Sequence, residues 1–161
     1  MRLELLLISV LSLQGPPSGP QSATVTLSVN LGSQARLSMS STTLTFADAD
    51  PESVPFVAAV PASIGVTAKT RTTRNSQVLL TVQATDDLRS GVQTIPASML
   101  TWHVTGPGLV PGTLAAGSNE LVGSWTSSGV RSGTQSFVFE NRWTHPPGTY
   151  SVTLVYTLSA P

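Results

Sequence analysis

The chain has 161 residues, eight cationic and eight anionic side chains, a formal net charge of zero and no cysteine. Its length suits one domain with a single core, and a domain of about 140 residues buries roughly two-thirds of the surface its unfolded chain exposes, so stability requires neither metal nor disulfide. Charged residues are 10% of the chain, against a usual quarter or so; this sparse, balanced charge argues against nucleic acid as a partner.

The chain begins MRLE and continues with an apolar run over residues 5–13, LLLISVLSL. That run has the length of a signal-peptide core and is too short to span a bilayer. Residues 1–23 therefore read as a secretory signal peptide cleaved after Ala23, with Gln21 in place of a small residue at the minus-three site. Residues 14–22, QGPPSGPQS, are too rich in Gly, Pro and Ser to continue a helix or a central strand and form a spacer. No second apolar segment follows, so no stable transmembrane anchor is expected, and the predicted location is secreted, periplasmic or cell surface.

From Thr24 the pattern has period two. Val25, Leu27, Val29 and Leu31 fall on one face, with Thr24, Thr26, Ser28 and Asn30 on the other. This predicts a half-buried strand, which could complete a neighbouring subunit's sheet by strand addition but is expected to pair within its own chain, the ordinary fate of a terminal strand. The alternation returns at Leu37 with Met39, Leu44 with Phe46, and Ile64, Val66 and Ala68, whose opposite face carries Thr67, Lys69 and Arg71. It continues through Val78, Leu80, Val82 and Ala84, then Leu100, Trp102 and Val104, then Phe137 with Phe139, and last Tyr150, Val152, Leu154, Tyr156 and Leu158.

Turn-forming stretches such as DPESVP, DDLRSG, SSGVRSG and THPPG separate these runs, and no stretch carries a capped helical stripe. The expected fold class is all-β: a single antiparallel β-sandwich of immunoglobulin-like or jelly-roll type, with seven to nine strands, over residues 24–161. The final SFVFENRW and TYSVTLVYTLS runs are expected to form a hairpin around THPPG, with Tyr150 and Tyr156 on its buried face.

In FADADPESVP, Asp48, Asp50 and Glu52 have the spacing with which a loop wraps calcium in oxygen donors. Counting from Asp48, however, Ser53 stands where an EF-hand needs Gly and Ala59 where it needs a bidentate Glu, while Pro51 favours a sharp turn. A turn is the better reading, with calcium a weak candidate that Asp86 and Asp87 could assist. His103 and His145 are the only imidazoles available as catalytic bases; no G-x-S-x-G accompanies them, and both read as surface residues. Glu120 and Glu140 show no spacing that nominates a glycosidase pair, and no zinc set is apparent. No cofactor and no enzymatic activity are expected. Trp102 shares a face with Leu100 and Val104 and reads as core, whereas Trp125 and Trp143 lie close to turn signals and could be exposed platforms for sugar stacking.

The stretches LTFADADP and GTYSVTLVYTLSAP resemble those of small secreted bacterial β-sandwich proteins, broadly similar to pilus-subunit or surface-layer domains. The resemblance implies export and a structural or adhesive role, and transfers no catalytic residue. The functional expectation is a secreted or cell-surface structural or adhesive protein, a subunit of a surface assembly, whose partner is another protein or a second copy at a sheet edge. The alternative is a carbohydrate-binding module that holds a surface glycan on Trp125 and Trp143.

Overall fold

The computed structural model describes residues 24–161, so the signal-peptide and spacer expectations lie outside the described residues. Residues 31–161 form a compact unit, and the described residues before them belong to a separate one. The compact unit is all-β with antiparallel ladders, and its only helical element is a 3-10 turn at Ala97–Met99.

Its strands are β1 (Gln34–Met39), β2 (Thr45–Phe46), β3 (Phe56–Val60), β4 (Ile64–Arg71), β5 (Gln77–Ala84), β6 (Leu88–Ser90), β7 (Gln93–Ile95), β8 (Leu100–Thr105), β9 (Gly112–Thr113), β10 (Asn119–Thr126), β11 (Gly129–Glu140) and β12 (Leu154–Ser159). In the larger sheet, β11 pairs with β4 and β3 and also with β8. β1 and β2 add outside β4 and β3, and β9 adds outside β8. A second sheet has the order β10-β5-β12, and β6 and β7 form a separate hairpin.

The two-residue rhythm determines what each sheet buries. Ile64, Val66 and Ala68 of β4 point inward, as do Val78, Leu80, Val82 and Ala84 of β5, all four of the latter without exposed surface. These side chains join Trp102, Phe137 and Val122 in one core fed by both main sheets. Burying Val78, Leu80 or Val82 contributes about 1.5–3 kcal/mol each relative to exposure. The Trp102 and Phe137 rings lie tilted at 6.3 Å between centroids, and the Trp102 indole N–H donates to the Val110 carbonyl at 2.9 Å. The core aromatic is thus packed without orphaning its polar atom.

Three expectations require correction. Among the described residues the strands number twelve rather than seven to nine, because the two- and three-residue pairings β2, β6, β7 and β9 add to the longer strands. Residues 24–31 lie in no strand, and Val25, Leu27, Val29 and Leu31 are 90%, 88%, 72% and 66% exposed, so the first alternating run is neither half-buried nor paired. The final two runs do not make a hairpin: β11 belongs to the larger sheet, whereas β12 pairs with β5 in the other. The intervening residues cross between sheets, with Tyr150 donating its hydroxyl to the Pro146 carbonyl at 2.9 Å and Ser151 bridging to Arg89. Pro146 and Pro147 lack the N–H groups that a tight hairpin ladder would use.

Strands β3, β6, β7, β9 and β10 escape the alternation argument. In β10 the cause is a register shift between Leu121 and Gly123, which breaks period two and places Val122, Gly123 and Trp125 all inside. Gly123 is needed there because a Cβ would lie 2.9 Å from the Gly108 carbonyl.

Candidate functional site

The acidic loop is organised by its own backbone. Asp50 accepts the Glu52 N–H on Oδ1 at 2.9 Å and the Ser53 hydroxyl on Oδ2 at 3.4 Å, while its carbonyl accepts the Val54 N–H at 2.8 Å. An aspartate that caps a turn in this way has its oxygens directed at local donors. Asn141, the residue after β11, fastens the loop by donating to the Ala49 carbonyl at 2.8 Å. Asp86 is engaged by Arg89 at 2.6 Å, which with the Asp87 N–H holds its carboxyl below the ordinary range, and Asp87 accepts the Ala97 N–H. Among the described residues no three acidic or imidazole side chains converge as a metal cluster, so Asp48, Asp50 and Glu52 are not brought together with Asp86 and Asp87.

His103 is exposed on β8, as its position beside inward-facing Trp102 requires. His145 is not fully on the surface: its ring stacks at 5.5 Å from Phe139. Burial holds its imidazole below the usual range, with Arg142 adding to that and Glu140 opposing it.

The two tryptophans proposed as sugar platforms part company. Trp125 is 7% exposed and part of the core, which removes it as a platform, because the β10 bulge rotates it inward. Trp143, in the crossover between the sheets, is 72% exposed.

A larger feature lies where the two sheets part. Residues 40–44 and 150–153 belong to no named strand, and between them runs a groove of about 490 Å³. One wall carries Met39, Leu44 and Phe46; the other carries Val152, Leu154 and Tyr156; Ile64 and Phe137 lie at its floor. All of these wall side chains are only partly buried although they pack on the core. Tyr156, on that second wall, donates its hydroxyl to Oε1 of the fully buried Gln135 at 2.8 Å, and burial raises the phenol's pKa strongly while this hydrogen bond opposes the rise.

The sequence reading assigned these wall residues to a closed core. Their period-two spacing is visible in the sequence, but it records only which face is apolar and not whether that face is covered. Among the described residues no helix is long and apolar enough to cross a membrane.

No protein-family model matches the sequence, and comparison with curated proteins and with solved structures finds no relative.

Proposed function

We propose that the protein is a secreted or cell-surface structural subunit, a β-sandwich that assembles with other protein through its sheet edges. The observation that carries this reading is the segment over residues 24–31: a strand-patterned, charge-free stretch with four large apolar side chains in water. Alternating apolar residues left outside any sheet are the form that a donor strand takes before it meets an acceptor edge. Two core-feeding antiparallel sheets support the sandwich architecture, and the turn chemistry of the acidic loop fits a structural part better than a reactive one.

The test is the mass in solution of the chain beginning at Thr24, measured by light scattering after size exclusion, with electron microscopy of the same sample. Concentration-dependent multimers or fibres are expected, and a Val25→Ser/Leu27→Ser/Val29→Ser variant should be monomeric. A wild-type chain that stays monomeric at high concentration and associates with no surface would sink the proposal.

The exposure of Trp143 supports a second reading, binding of a surface glycan on a single stacking platform. A glycan array probed with the protein and with Trp143→Ala tests it; equal signals from both, or none, remove it.

A further inference from the structure

The groove and the segment over residues 24–31 both present apolar side chains, and the placement of charge says how two copies would meet. The side chain pattern of β4 and β11 defines two ends of the compact unit. At one end Gln34 opposes Arg71 and Gly129 opposes Thr70, next to the 72–76 connection. At the other Glu140 opposes Phe56, next to the acidic loop. Arg36, Lys69, Arg71, Arg74 and Arg131 all lie towards the first end, Arg36 directly opposite Lys69 in the ladder. Both ion pairs found among the described residues, Arg89 with Asp86 and Arg142 with Glu140, lie towards the other end. That end also holds Asp48, Asp50, Glu52 and Asp87. Like charges paired across strands are unfavourable within one molecule, and an unneutralised cationic end facing an acidic one is favourable between two molecules.

Chain order joins residues 24–31 to β1 at Gln34, the cationic end. The groove, with Ile64 at its floor and the 150–153 crossover along its rim, opens in the acidic half. Eight residues in extended form span roughly 26 Å, enough to run beside residues 150–156. We infer that this groove is the acceptor for residues 24–31 of a second copy, inserted head to tail with the donor's cationic end against the acceptor's acidic end. Entering from that side, the segment runs antiparallel to β12, Leu31 near the rim at Tyr150 and Val25 deepest, near Tyr156. Val25, Leu27, Val29 and Leu31 then face the floor, and Thr24, Thr26, Ser28 and Asn30 face outward. The contact is heterologous, since groove and segment are different surfaces, so successive copies add without closing a pair.

This inference rests on the assembly reading above, and the cysteine-free sequence gives a test that separates the two. In a Val29→Cys/Val152→Cys double variant of the chain beginning at Thr24, oxidation is expected to give a ladder of disulfide-linked dimers, trimers and higher forms on a non-reducing gel. The Val29→Cys/Val130→Cys control has its second thiol on an exposed part of β11 away from the groove, and should give at least tenfold less ladder. A fast-migrating internally linked monomer in place of the ladder overturns the inference by placing the segment in its own groove. Multimers seen by light scattering, with no cross-link in the first variant or equal ladders in both, also overturn it while leaving assembly standing. Absence of multimers in every variant and in the parent chain overturns both.

Discussion

Gln135 is a polar side chain in an apolar position: it has no exposed surface, its Oε1 accepts from Tyr156 and its Nε2 has no partner. Removing the hydroxyl leaves the carbonyl unsatisfied as well, so Tyr156→Phe should cost about 1–3 kcal/mol in urea unfolding, and adding Gln135→Leu should recover most of the loss because both polar partners are then gone. The same pair has a pH signature. Burial raises the Tyr156 pKa in the folded protein, so above the ordinary phenol value of about 10 the unfolded chain releases its proton first and binds fewer protons than the folded one. Stability is therefore full below about pH 10 and falls as pH rises beyond it; melting temperatures between pH 9 and 11.5 should show this decline in the parent and a shallower one in Tyr156→Phe. Gly133 is a second demanding position, for a steric reason. A Cβ there would collide with the Thr105 carbonyl and lie 2.6 Å from Leu109 Cδ1. Gly133→Ala should cost about 1–3 kcal/mol through overpacking, seen as a lower urea midpoint with an unchanged slope.

Strands that keep an unbroken two-residue rhythm, β4, β5 and β8, could be read directly from the sequence, because each is long enough to display several inward side chains. β10 could not, because its bulge puts adjacent residues inside; Trp125 lies beside turn signals, and nearness to a turn does not reveal that the bulge carries it into the core. Pairing partners were also hidden: β11 and β12 have the spacing of a hairpin, and only the sheet assignment separates them. The acceptor groove was legible as a set of wall residues but not as an opening, since a sequence pattern records which face is apolar and not whether anything covers it. Residues 24–31 illustrate this, for they have the pattern of a strand and lie in none. That combination makes a prediction at the level of the segment. Proline removes a ladder donor wherever it enters a paired strand, yet among the described residues this segment takes part in no ladder. A Thr26→Pro/Ser28→Pro variant should therefore unfold in urea with the midpoint of the dissociated parent, while its multimer fraction in size exclusion drops at least tenfold. A lowered monomer midpoint would mean that the segment does support its own domain.

At the scale of the whole molecule the net charge of zero conceals a separation of charge. Lys69 and Arg71 project from β4 near Arg36 and Arg74, while Asp48, Asp50 and Glu52 lie in the loop preceding β3. A molecule with cationic and acidic ends steers a second copy into head-to-tail approach, and such steering acts mainly on the association rate. It is also screened by salt, since the Debye length shortens from about 10 Å at 0.1 M to about 3 Å at 1 M. Apolar insertion of the segment responds oppositely, if at all, because salts excluded from protein surface strengthen burial. Raising sodium chloride from 0.05 M to 1 M should accordingly slow multimer growth, followed by light scattering, by about tenfold or more while barely changing the stability of multimers already formed. A Lys69→Glu/Arg71→Glu variant should grow slowly at low salt and lose most of its salt dependence. An Asp48→Lys/Asp50→Lys variant should behave in the same way, because either pair of substitutions brings its own end close to neutrality and removes the attraction. Equal growth rates across these conditions would mean that the separated charges play no part in how copies approach, and that apolar insertion alone brings them together.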